Sequence, residues 1–390
     1  MTRYKDVFRA PEFLPLFLVA TTQVAAQTVA GLAFGTLVFE RTHSPLASAL
    51  ATFGPSLAQA VGATTVLASA DRLPPRAATT VTALLLGAET ALPAVPRLPI
   101  PILFLALFIL GITASLSGGV RYGLLNEILT ADQYLAGRSL FNISFGITQI
   151  VGFALGGLLV TLLTPEGALL FGAGLYTASA VIARLFLSPR PARAHGTPSM
   201  GDSWRNNAAL LSPRDRRSVF LALWVPNGLI VGCESLYIPY APHHAALLFS
   251  LGAAGMLTGD VLAGRLLPPL WRGRLAGPFR LLLALPYLGF ALSPPLPVAA
   301  VLVLLASIGY CAGLLLQEQL LRLIPQDLSG QALGLHSSGT LAMQGVGAAL
   351  AGTLAQVVSV TAAIATMAVL SVAVTLYLGP ALRTAPQPTG

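Results

Sequence analysis

The run FLPLFLVATTQVAAQTVAGLAFGTLVF, Phe13 to Phe39, contains no charged side chain. At 1.5 Å per residue it is long enough to cross the roughly 30 Å hydrocarbon core of a bilayer as one helix. Arg3, Lys5 and Arg9 precede it, and small residues gather around Ala25 to Ala30, an arrangement that superficially resembles a cleavable secretory signal. The apolar stretch runs on past that patch and many like it follow, so it reads as a first membrane helix.

The rest of the chain has the same character. Over 390 residues, 55% are hydrophobic and 9% charged, whereas a soluble protein carries roughly a quarter charged residues. Water-facing domains cannot be surfaced from that composition. Lipid-facing helices can, and the expectation is an all-α integral membrane protein. Eleven more apolar runs follow the first: Pro45 to Ala70, Ala77 to Val95, Ile100 to Tyr122, Ala136 to Thr164, Gly167 to Leu187, Ser218 to Tyr240, Ala245 to Leu267, Gly277 to Leu292, Val298 to Leu323, Gln331 to Val358 and Thr361 to Leu378. The ninth is short and interrupted by Pro286. This divides the chain into a six-helix half (1–187), a polar Arg- and Pro-containing central loop (188–217) and a second six-helix half with a short tail (218–390).

The basic residues give an orientation, since cytoplasmic loops are enriched in Lys and Arg. With the N-terminus inside, the cytoplasmic segments hold Arg3, Lys5, Arg9, Arg72, Arg76, Arg138, Arg190, Arg193, Arg205, Arg214, Arg216, Arg217, Arg272, Arg274 and Arg383, against Arg41 and Arg97 outside. An odd number of crossings would destroy that asymmetry, so both termini are expected to be cytoplasmic. The formal net charge of +8 is spread over short loops without interleaved aromatics, which argues against nucleic acid. Cys233 and Cys311 both lie in apolar runs, so no disulfide framework or zinc site is expected. No phosphate loop, nucleophile elbow or metal-ligand cluster is present in the sequence, and neither a cofactor nor an enzymatic activity is expected.

The chain also resembles itself. Laying Leu129–Leu159 over Ile324–Leu354 without a gap matches Asp132 with Asp327, Leu140 with Leu335, Gln149 with Gln344, Gly152 with Gly347 and Gly157 with Gly352. Paired six-helix halves of this kind are a transporter architecture.

Six helices, a basic loop and six more resemble the major facilitator superfamily. Asp71-Arg72-Leu73-Pro74-Pro75-Arg76 resembles that family's loop motif, with Leu67 and Pro74 in place of its glycines. The resemblance implies a cytoplasmic charge clasp. Gly152-Phe153-Ala154-Leu155-Gly156-Gly157 is similar to the antiporter motif of proton-driven exporters, Phe153 standing where the family has proline; Gly152, Gly156 and Gly157 also suit close helix packing. Arg121-Tyr122-Gly123-Leu124-Leu125-Asn126-Glu127 and the helix after it resemble the siderophore-exporter-like branch. Arg121 reads as lying near the cytoplasmic end, so the mid-membrane arginine of drug antiporters has no counterpart.

An ionisable side chain inside a membrane helix is costly unless paired, neutralised or wetted, which makes each one a candidate. Glu234 leads as proton carrier, because the resemblance places its helix along the central cavity; Glu89 and Asp260 follow. Gln23, Gln27, Asn227 and Tyr237 are candidate cavity residues, Tyr237 being expected on the face of Glu234. Asp71, Arg72, Arg76, Arg121, Glu127, Glu318 and Arg322 are assigned to a cytoplasmic gate, the last two at ion-pair spacing. The reading is proton-coupled efflux of a small hydrophobic or amphipathic molecule by a monomer in a bacterial cytoplasmic membrane. The alternatives are an uptake permease or uniporter of the same fold, and a membrane enzyme or scaffold that transports nothing.

Overall fold

A computed structural model describes residues 4–65, 73–192, 200–325 and 328–383. Among the described residues there is no strand, and twelve long helices carry the chain: α1 (Phe13–Thr42), α2 (Pro45–Thr65), α3 (Pro75–Ala91), α4 (Ile100–Ile128), α5 (Ala131–Leu163), α6 (Pro165–Phe186), α7 (Arg214–Ser235), α8 (Ala245–Val261), α9 (Pro269–Ala284), α10 (Leu296–Leu323), α11 (Ser329–Leu354) and α12 (Val360–Arg383). Proline opens α2, α3, α6 and α9, where a missing N–H costs nothing. Thr130 and Gln133 close a capping box at the start of α5.

Several boundaries differ from the sequence reading for physical reasons. Pro286 does not interrupt a helix; it opens a 3₁₀ stretch, Leu285–Leu292, that continues α9, and α9 itself begins at Pro269 rather than Gly277. α4 runs beyond Tyr122 to Ile128, which puts Arg121 inside the helix. α7 starts at Arg214, so Arg214, Arg216 and Arg217 form its first turn, and the polar connection before it contains a helix of its own, Met200–Leu211. The end of the second apolar run, 66–70, lies outside the described residues.

Ten of these helices are long and apolar enough to cross a membrane; α2 and α11 fall short on composition. Those two are packed on each other and are rich in Ser, Thr, Gly and Gln.

Ion pairs define the two ends of the bundle. Arg190, past α6, reaches Glu12 at the start of α1 (2.9 Å) and Glu127 at the end of α4 (3.4 Å). This end is called the terminal face. At the opposite, distal face Arg41, near the end of α1, pairs with Glu166 at the start of α6 (3.2 Å).

The contact pattern repeats along the chain. α1 packs on α5 and α6 as α7 packs on α11 and α12, and α2 packs on α4 as α8 packs on α10. The matched glycines obey the same rule: a Cβ on Gly152 would meet Thr28 and one on Gly347 would meet Gly228, while Gly157 faces Ala246 and Gly352 faces Leu46. Partners 28 and 228, and 46 and 246, share an offset of 200 residues.

Candidate functional site

The first six and last six helices meet along two helix pairs, α2 with α11 and α5 with α8. From the distal face inward, Gln356 donates to Ser44 (2.6 Å), Phe153 stacks on Phe249 with centroids 4.9 Å apart, and Ser250 donates to the Ile150 carbonyl (3.4 Å). Gly156 lets α5 lie against Val29 of α1, and Gly345 lets α11 lie against Leu57 of α2. The deepest of these contacts joins Gly146 to Leu257. One turn further toward the terminal face on α8, Asp260 is exposed. The bundle is thus sealed at its distal face to beyond mid-helix.

Behind that seal sits Glu234. It is 8% exposed, on the last turn of α7, and accepts a hydrogen bond from the Tyr310 hydroxyl of α10 at 2.9 Å. Tyr237 and Tyr287, both with no exposed surface, bond to each other through their hydroxyls and lie within electrostatic reach of the carboxylate. α7 ends at Ser235, and Leu236 breaks the helical path. Tyr237 was expected to line a cavity beside Glu234; it is instead buried in the phenol cluster behind the seam. A carboxylate with one phenolic donor and a low-polarity wall is chemically suited to holding a proton. Of the other cavity candidates, Asn227 accepts from Gln344 of α11 (3.4 Å) and Gln27 is exposed on α1.

A second polar group forms in the first six helices. The Arg121 guanidinium donates to Gln23 Oε1 (3.3 Å) and lies over the Phe145 ring, 5.2 Å from its centroid. Seven residues in from the end of α4, it is about 10 Å along the helix from the terminal face, so its expected gate position is corrected to the wall of the bundle. Glu89 of α3 accepts from Thr113 of α4 (2.8 Å), and its other oxygen is buried without a partner.

The remaining gate residues form two clasps on the terminal face. Glu127 pairs with Arg190 instead of grouping with Arg121. Glu12 is half-enclosed, and burial alone would raise its pKa; the Ser188 N–H and the Arg190 guanidinium outweigh burial and hold its carboxyl below the usual carboxylate range. In the last six helices Glu318 bonds Arg322 on its own helix and Arg272 at the start of α9 (3.4 Å). Asp71 and Arg72 lie outside the described residues, and the Arg76 Nε is buried without a partner.

Three residues escaped the sequence reading. Arg280 is 2% exposed on α9, with Nε and Nη2 lacking partners among the described residues. Starting the ninth run at Gly277 placed it at a helix end, whereas it lies 11 residues into α9. Tyr287 and Tyr310 are single tyrosines in apolar runs, with no periodic signal to single them out. Among the described residues no group of His, Cys, Asp and Glu could hold a metal ion.

The sequence matches the model of the Major Facilitator Superfamily over residues 16–317. No curated protein matches it by sequence. Among solved structures, a POT family transporter in complex with 5-aminolevulinic acid aligns at TM-score 0.79 and 13% identity over 96% of each chain. A bacterial homolog of the human lysosomal transporter Spinster, inward-facing and unoccupied, aligns at 0.68 and 14% over 95% of each. The human organic anion transporter MFSD10 (TETRAN) aligns at 0.68 and 17%, covering 97% of this chain and all of the other. At such identities these likenesses carry the fold alone.

Proposed function

The chain belongs to the Major Facilitator Superfamily and has the fold of its multi-pass membrane transporters, and from that premise we propose that it exports a small amphipathic molecule in exchange for protons. The observation that carries the proposal is Glu234, a carboxylate closed off behind the distal seam with Tyr310 as its hydrogen-bond donor. Opening the seam would bring this carboxylate to the distal side, where it takes up a proton; closing it around the proton would leave the opposite side open. The two six-helix halves rock about the α2/α11 and α5/α8 pairs, exposing the space between them to each side in turn. On this reading the terminal face is cytoplasmic, the membrane is the bacterial inner membrane, and one chain is the working unit.

The likeness to an inward-facing Spinster homolog fits a resting state open to the terminal face. The glycines at 152, 156 and 157 support the exporter direction through their resemblance to the antiporter motif. Uptake through the same fold is the second reading, favoured by the likeness to a POT family transporter holding 5-aminolevulinic acid.

Glu234→Gln keeps the hydrogen bond from Tyr310 and removes the titrating group. In proteoliposomes this variant should bind solute yet lose solute-driven proton movement and proton-driven accumulation. Coupled transport at the native rate would eliminate Glu234 from the mechanism.

A further inference from the structure

We infer that a recess beside Arg121 seats the anionic head group of the transported solute, so that the solute is an amphipathic carboxylate or a like monoanion; this rests on the reading of the chain as an exporter. The recess lies between α1, α3 and α4 and is lined by Leu16, Val19, Gln23, Ser117 and Arg121, with Thr79 and Thr82 completing the wall. Its free space is about that of one water molecule, so an arriving head group has to widen it.

Three observations point to a negative ligand. Arg121 has no carboxylate partner among the described residues: it meets the neutral amide of Gln23 and the face of Phe145. Both fix the plane of the guanidinium, and neither neutralises it. Ser117, one turn before Arg121 on α4 and lining the same recess, has a buried hydroxyl without a partner among the described residues. The hydroxyls of Thr79 and Thr82 already donate to the carbonyls of Pro75 (2.8 Å) and Ala78 (2.6 Å). Among the donors left over in the recess are those of Arg121 and Ser117, a positive fork and a hydroxyl. That pair matches the two oxygens of a carboxylate.

An uncompensated guanidinium within the bilayer is unfavourable, and an arriving anion relieves it. Leu16, Val19 and Val120, all buried, make part of the recess wall apolar. Free inorganic anions and the phosphate of a lipid offer the same chemistry, so the test has to separate these sources from an organic anion.

Purified protein in detergent is titrated with benzoate and 4-phenylbutyrate, with their methyl esters, with chloride and inorganic phosphate, and with a short-chain phosphatidylglycerol, and binding is read as a thermal shift. The carboxylates should stabilise the native protein and the esters should not. Arg121→Gln should weaken carboxylate binding by at least tenfold, Arg121→Lys should retain part of it, and Ser117→Ala should weaken it a few-fold. Equal stabilisation by acids and esters, or unchanged carboxylate binding in a folded Arg121→Gln protein, would overturn the inference, as would a response confined to inorganic anions or to the lipid. The readout needs no transport, so its failure is separate from that of the exporter reading.

Discussion

Gly157 sits on α5 at the distal seam, where an added Cβ would run into the Cβ of Ala246 on α8. Gly157→Ala should improve the intrinsic helicity of α5 by about 1 kcal/mol while making the closed seam worse. Forcing a methyl into a filled contact costs about 1–3 kcal/mol, and here the cost falls only on the state in which α5 and α8 are apposed. The balance between the distal-closed and distal-open states should then move by about 5- to 150-fold. Ala49, with no exposed surface and facing Gly352 across the other helix pair, reports on this when replaced by cysteine. The native thiols Cys233 and Cys311 are buried and give little background. Labelling of Ala49→Cys by a membrane-impermeant maleimide should accelerate at least ~5-fold when Gly157→Ala is added, the low end of that range. Adding Ala246→Gly restores the room and should return the rate to its starting value. Gly118→Ala, whose Cβ meets nothing within 4 Å, should change nothing. An unaltered rate in a folded Gly157→Ala protein, or an equal rise with Gly118→Ala, would refute the idea that this contact holds the seam closed.

Gly347→Ala should lower thermal stability sharply, because its Cβ would meet the backbone carbonyl of Gly228, whereas Gly334→Ala, with open space around it, should not. Arg190→Ala removes a two-carboxylate clasp worth about 1 kcal/mol and should speed proteolysis of the 188–213 connection. Because the Glu12 carboxyl is held below its ordinary value of 4.5, its share of that clasp is complete above pH 4.5 and fades only as the pH falls below it. The native protein should therefore resist proteolysis equally at pH 6 and 8, and a loss of resistance between those values would count against the assignment. Arg280→Met exchanges a buried, unpaired guanidinium for an apolar side chain of similar length, and its melting temperature should equal or exceed that of the native protein; a marked drop would reveal a partner for Arg280.

Much of the architecture is legible in the sequence because lipid imposes a single rule, apolar outside and every backbone group bonded inside. That rule marks α1 and α4 without help from tertiary structure. It weakens at α2 and α11, which are packed on each other and carry polar residues that the rule does not anticipate. The repeat between α5 and α11 was readable from Gly152 and Gly157, whose partners could not be read, because nothing local says that Thr28 or Ala246 lies opposite. The same limit applies to the site. Glu234 stands out as a carboxylate in an apolar run, but its donor Tyr310 is 76 residues away and was invisible. Arg121 was assigned to the wrong level because the end of α4 was set two turns too early, and Arg280 was passed over because the start of α9 was set two turns too late. Phe153, a departure from the resembled motif, acquires a meaning only in three dimensions, as half of the stack with Phe249.

The shared offset of contact partners at 28 and 228 and at 46 and 246 has an evolutionary corollary. Surfaces that complement each other across a two-fold axis must once have been identical, so an ancestral chain half this length would have paired with itself, the counterpart of Gly157 in one copy meeting the counterpart of Leu46 in the other. Fusion would free each copy to diverge: one half now carries a cation at 121 and the other a carboxylate at 234, a division of labour that two identical chains could not hold.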